Sequence, residues 1–236
     1  MKYEILKNPV GILEVTLNKG EQITAEGGAL VFLKGNVEIK TKMRQGGFLK
    51  NLKVAALGAE SFFVNDYIAH EDNCTLGMTG PPIGDIIQLE IDPDEGYIIQ
   101  SGAYVASTHG VELDTKWQGF TKGIFGSELF MLKATGSGVV FANAYGGIIE
   151  KKLQAGEKMT LDNYHLVAMS MNANYTVKQL GGFKTMILGG EGFVTEIVGP
   201  GTVYAQTKNL KELIDLLGIR QAQETRQPTF GGFRFG

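Results

Sequence analysis

Apolar and polar residues alternate over many short stretches of this chain, and the period is two. "VEIKTK" (37–42), "VELDTKW" (111–117) and "NYTVKQL" (174–180) set apolar or β-branched side chains against polar ones, the pattern of a strand with one buried face. "DIIQLEI" (85–91), "GVVFA" (138–142) and "GTVYA" (201–205) are short runs rich in Val, Ile and aromatic residues, bounded by turn residues, and also read as strands. Turn glycines recur at the roughly 8–12-residue spacing of sandwiches and barrels. One segment departs from this. In "NLKELIDLLG" (209–218), Leu210, Leu213, Ile214 and Leu217 share one helical face, Asn209 and Glu212 form a capping pair, and Gly218 ends the run. The prediction is an all-β protein with a C-terminal amphipathic helix.

The pattern also repeats. Residues 20–42 overlay residues 94–116 without a gap at Glu21/Glu95, Gly28/Gly102, Ala29/Ala103, Val31/Val105, Val37/Val111, Glu38/Glu112, Thr41/Thr115 and Lys42/Lys116. Residues 156–178 overlay the first segment at Gly20/Gly156, Thr24/Thr160, Leu30/Leu166 and Val31/Val167, among others. A second motif follows each copy: Gly-Phe, an apolar stretch, then a glycine and a glutamate ahead of an aromatic strand, at Glu60, Glu128 and Glu191. Self-similarity at long period reads as tandem units. The expected organisation is three homologous β-sandwich units, 1–85, 86–150 and 151–207, followed by a helix and tail over 208–236. Such units seal their open edges by pairing with one another around a pseudo-threefold axis.

Composition narrows the function more than it reveals it. The 236-residue chain has a formal net charge of −3, so no global cationic field draws it to nucleic acid or anionic lipid. Cys74 is the single cysteine, which excludes an internal disulfide or a multi-cysteine zinc site. The opening "MKYEILKNPVGIL" has no basic-then-apolar leader, and no apolar run reaches the length of a membrane span. A cytoplasmic protein is expected.

"GMTGPPIGDIIQLEI" (from Gly77), "GSGVVFANAYGGIIEKKL" (from Gly136), "LDNYHLVAM" (from Leu161) and "GEGFVTEIVGPGTVYAQT" (from Gly190) resemble the altered-inheritance-of-mitochondria 24 family, also called the domain-of-unknown-function 124 group. The resemblance runs from the N-terminus to about Thr207 and leaves out the tail. It implies three β-sandwich units, each similar to a subunit of the tryptophan RNA-binding attenuation protein, and trimeric assembly. It carries over no catalytic residue.

Candidate sites are few. His70 and Cys74 lie four apart beside Glu71 and Asp72, but His70, His109 and His165 form no ligand spacing. No Gly-x-Ser-x-Gly elbow or phosphate loop is present, and Asp162 near His165 reads as a turn residue. No catalytic, cofactor or metal site is expected, and no enzyme. Lys40, Lys42 and Arg44 share one strand face, with Lys50 and Lys53 following. They form the one candidate patch for RNA or another anionic ligand, and a solvated strand face is the preferred reading. Phe48, Leu49, Leu52 and Leu57 are interleaved with these lysines, an amphipathic piece suited to a peripheral membrane or a protein partner. Glu60, Glu128 and Glu191 read as repeated structural acids at glycine turns. The leading expectation is a non-enzymatic scaffold or interaction protein that self-associates as a trimer. RNA or anionic-surface binding is the first alternative, and a ligand or enzyme cleft between repeats the second.

Overall fold

A computed structural model of the chain describes residues 1–7, 10–43, 63–114, 131–179 and 193–218. The protein is all-β. Its strands are β1 (Lys2–Lys7), β2 (Gly11–Leu17), β3 (Gln22–Glu26), β4 (Leu30–Lys34), β5 (Val37–Met43), β6 (Phe63–Ala69) and β7 (Cys74–Met78). Then follow β8 (Ile86–Ile91), β9 (Tyr97–Gln100), β10 (Tyr104–Thr108), β11 (Val111–Asp114), β12 (Met131–Gly136) and β13 (Gly138–Asn143). The last six are β14 (Ile148–Leu153), β15 (Lys158–Asp162), β16 (Leu166–Ser170), β17 (Asn174–Gln179), β18 (Phe193–Val198) and β19 (Gly201–Gln206). Helix α1 (Leu210–Leu216) ends the described chain.

Four antiparallel sheets result, with strand orders β1-β2-β7-β4, β5-β6-β3-β10-β13-β8, β11-β12-β9-β16-β19-β14 and β15-β18-β17. Three apolar cores lie between consecutive sheets. Leu13, Val15, Leu17 and Leu76 of the first sheet meet Ile23, Tyr67, Val105 and Phe141 of the second. Tyr104 and Leu89 of the second meet Ile99 and Leu132 of the third. Ile98, Met131 and Met169 of the third meet Ile197 and Met159 of the fourth. The two inner sheets are therefore covered on both faces. This explains why "YVAST" and "LVAMS" are continuous apolar runs rather than alternating ones.

Each inner sheet is held together at its middle by one pairing between distant parts of the chain. β3 pairs β10 with Ala25 opposite Ala106, and β9 pairs β16 with Ile99 opposite Ala168. The ladder slips by one residue beside each junction, between Tyr104 and Ala106 and between Leu166 and Ala168, and again in the first sheet between Leu30 and Phe32. The residue skipped is Val31, Val105 or Val167, which is the valine shared by all three repeats. A bulge puts an extra residue into one strand and sharpens its twist, so the recurring valine marks a recurring bend.

The match at Gly20 and Gly156 also has a local cause. Gly20 and Gly156 sit at φ +84° and +80°, a region that disfavours any residue with a Cβ. The glutamate after each closes its turn: the Glu21 carboxylate accepts from the Asn18 amide at 2.8 Å, and the Glu157 carboxylate from the Gln154 amide at 2.9 Å. In α1, the Asn209 Oδ1 accepts from the Glu212 amide at 2.9 Å and Gly218 adopts φ +64°. Its apolar stripe is less covered than the sequence pattern implies, with Leu213 and Ile214 half-buried and Leu210 and Leu217 exposed. The helix is held instead by its polar cap, because Asn209 Nδ2 also donates to His165 Nε2 at 2.9 Å.

Gly84 faces Gly146 in an isolated parallel bridge, and a Cβ there meets the backbone of Ala144 and Gly146. Backbone cannot yield as a side chain can, so Gly84→Ala is expected to destabilise the protein by about 3 kcal/mol. Urea denaturation of the variant beside Gly20→Ala, strained in conformation but with open space around its Cβ, checks whether crowding is the cause.

Candidate functional site

β5 carries the described part of the basic stripe, and its charges are already matched. Lys40 Nζ lies 3.2 Å from Glu38 Oε2, and His70 Nε2 reaches the same oxygen at 3.2 Å. The Lys40 ammonium, and after it His70, hold the Glu38 carboxyl below its usual range. Lys42 forms an ion pair with Asp66, a buried carboxylate that also accepts from Thr24 Oγ1 at 2.8 Å. The repeat-equivalent Lys178 pairs with Glu196 at 2.8 Å. Lys42 and Lys178 thus recur as partners of an acid on the neighbouring strand. Arg44, Lys50 and Lys53 lie outside the described residues, as do Phe48, Leu49, Leu52, Leu57, Glu60, Glu128 and Glu191.

The histidines are tied to separate structural tasks. Cys74 is buried, and its thiol donates to backbone oxygens of Asn36 and Glu71 at 3.6 and 3.4 Å, while His70 is exposed and turned to Glu38. His109 Nδ1 meets Gln22 Nε2 at 2.7 Å beside the β3–β10 junction. His165 Nδ1 donates to the Gln206 carbonyl at 2.7 Å, and Asp162 accepts from the Tyr164 amide at 2.8 Å. Among the described residues no three His, Cys, Asp or Glu side chains are grouped to hold a metal ion, and no helix is long and apolar enough to cross a membrane.

Two sheet edges differ from their counterparts elsewhere in the fold. Each inner sheet joins one kind of three-strand half (β5-β6-β3 or β11-β12-β9) to a second kind (β10-β13-β8 or β16-β19-β14). The first sheet holds the second kind of half, ending in β4, and the fourth sheet holds the first kind, ending in β15. The strands equivalent to β4, namely β10 and β16, are paired at their junctions, whereas β4 has no such partner among the described residues. Val31 is 57% exposed where Val105 and Val167 are 0%, and Phe32 is 40% exposed where Ala106 and Ala168 are 0%. On β15, Leu161 is half-buried where Ala25 and Ile99 are fully buried.

Charge sets these two apart from the other edges. Inside β1, β5, β8, β11, β14 and β17 stand Glu4, Lys40, Glu90, Glu112, Lys151 and Lys178, charges that discourage further pairing. β4 has Val31, Phe32 and Leu33 in its interior, and β15 has Met159, Thr160 and Leu161. The repeat alignment had placed Val31 on Val105, but it could not say which copy lacks a neighbour.

This all-β, multi-sheet architecture defines a protein built by edge pairing. The chain belongs to the mitochondrial biogenesis AIM24 family, whose model matches residues 3–208. It is 29% identical over 213 residues to an uncharacterized protein of Streptococcus pyogenes serotype M6, covering 87% of this chain and 85% of that protein. The crystal structure of protein SPYM3_0169 from Streptococcus pyogenes superposes with a TM-score of 0.74 at 25% identity, covering 92% of this chain and 98% of that one.

Because Lys42 compensates a buried carboxylate, Lys42→Met is expected to cost about 1.5–3 kcal/mol of stability. Lys40→Met, which opens an exposed pair, stays within about 0.5 kcal/mol. Urea unfolding of the two variants side by side checks the difference.

Proposed function

We propose that this protein is a non-enzymatic scaffold or interaction protein of the cytoplasm that self-associates as a trimer, with its three tandem sandwich units joined head to tail and β4 of one copy pairing with β15 of the next. The reading is carried by one observation: β4 and β15 are the two edges whose repeat equivalents are sealed, and they lack the interior charges of every other edge among the described strands. The two junctions within the chain supply the register. Ala106 faces Ala25 and Ala168 faces Ile99, and by repeat equivalence Phe32 faces Leu161, Leu33 faces Thr160 and Lys34 faces Met159.

Such a contact would join the fourth sheet of one copy to the first sheet of the next in the strand order β17-β18-β15-β4-β7-β2-β1. It would also bring the neighbour's third sheet over Val31, as the first sheet covers Val105 in this chain. The interface is heterologous, using different surfaces on the two partners, and such contacts close into a ring when the rotation between copies closes and otherwise run on as a filament. A ring leaves neither edge open, which favours a defined number of copies over a fibre. An RNA-binding role through Lys40 and Lys42 is less favoured, because both ammonium groups already have acidic partners.

Light scattering coupled to gel filtration tests the assembly. The native protein should elute at three times the chain mass, and Val31→Lys, which alters an exposed position, should elute as a monomer with an unchanged circular dichroism spectrum. Oxidised Phe32→Cys/Leu161→Cys protein should run as covalent multimers on a denaturing gel. A monomeric native protein, or a disulfide confined within one chain, rejects the proposal.

A further inference from the structure

A cleft of about 400 Å³ opens where the third sheet meets the β16–β17 turn, lined by Ile98, Lys133, Met171, Ala173, Asn174 and Tyr175. This lies within the range of about 300–1,000 Å³ typical of small-molecule sites. Ile98 and Ala173 are buried and Met171 half-buried, so part of the wall is apolar. Lys133 stands directly across the β9–β12 ladder from Ile98 and therefore shares its face.

The charge at this position is the reverse of that in the other repeats. Position 133 corresponds to Asp66 and Glu196, each opposite the matching residue of β3 or β15. Those acids are neutralised by Lys42 and Lys178. Only in the middle repeat is the inner residue a lysine, with the acid, Asp114, displaced to the exposed edge strand opposite it. Lys133 is half-buried and has no ion-pair partner among the described residues. At the equivalent place beside the first junction, Thr24 hydrogen-bonds Asp66. Here the corresponding neighbour is Ile98, which can offer the ammonium nothing.

We propose that this cleft binds a small carboxylate bearing an apolar body, with the Lys133 ammonium taking the carboxylate and Ile98, Met171 and Ala173 receiving the apolar part. A half-buried ammonium beside a wall that is apolar at Ile98, Met171 and Ala173 and polar at Asn174 suits an anion that brings a modest hydrophobic surface of its own. The site uses neither β4 nor β15 and stands whether or not the chains assemble.

Calorimetric titration of the native protein with 3-phenylpropionate, and with its uncharged amide, tests the proposal. The carboxylate should bind saturably at one molecule per chain, and at least about tenfold more tightly than the amide. Lys133→Met should bring the carboxylate down to the level of the amide, and Lys133→Arg should retain most of the preference. Crystals soaked in 3-phenylpropionate should show it against Lys133 and Ile98. Absence of saturable binding to the native protein overturns the proposal, as does equal binding of acid and amide. A Lys133→Met protein that melts like the native one and binds as tightly overturns it too.

Discussion

Everything in this molecule hangs on the hydrogen-bond ladders that join one repeat to the next, β3 to β10 and β9 to β16. Half a sheet exposes a row of unpaired backbone N–H and C=O groups, and burying such a row without partners costs more than any side-chain contact there returns. The two junctions remove that cost at the centre of each inner sheet. They also bring the sheets into a stack, so that three separate apolar cores form between four sheets. The apolar faces follow from the ladder, because a strand at the middle of a sheet with both faces covered has no solvated side on which to place polar residues.

Local volume is kept even where the letters change. At each of the three bulged pairs, one strand carries an aromatic ring and its partner a small residue. Phe32 lies over Gly77, while Phe141 faces Ala106 and Tyr204 faces Ala168. The ring changes strand between the first copy and the others, yet one ring fills the space each time. Cores tolerate exchanges of this sort because total volume and shape matter more than which strand supplies them. Such exchanges also hide the repeat from a letter-by-letter comparison.

The same logic separates structural charge from charge left over for binding. Lys42 and Lys178 each sit beside an acid on the adjacent strand, one of them buried, and their conservation between repeats has a stability reason. Lys133 occupies the acid's place in the middle repeat, where no such reason operates. β4 and β15 pose the corresponding question for the backbone. Lys133, β4 and β15 each differ from counterparts that have a partner among the described residues.

Period-two alternation and glycine spacing made the β architecture and the Asn209 cap readable from the letters, because each depends on residues within a few positions of one another. The His70 and Cys74 spacing looked suggestive in one dimension and came apart in three, since one side chain is buried and the other points across β5. Likewise the α1 stripe overstated burial, because a polar cap and not the leucines fixes the helix. Which edges are paired, which lysines are matched and where a cleft forms were settled by ladders between strands that are separate in the sequence, from Lys178 and Glu196 to the β3–β10 and β9–β16 junctions. A residue's partner across such a ladder depends on register, bulge and stacking order together, and no local pattern encodes all three.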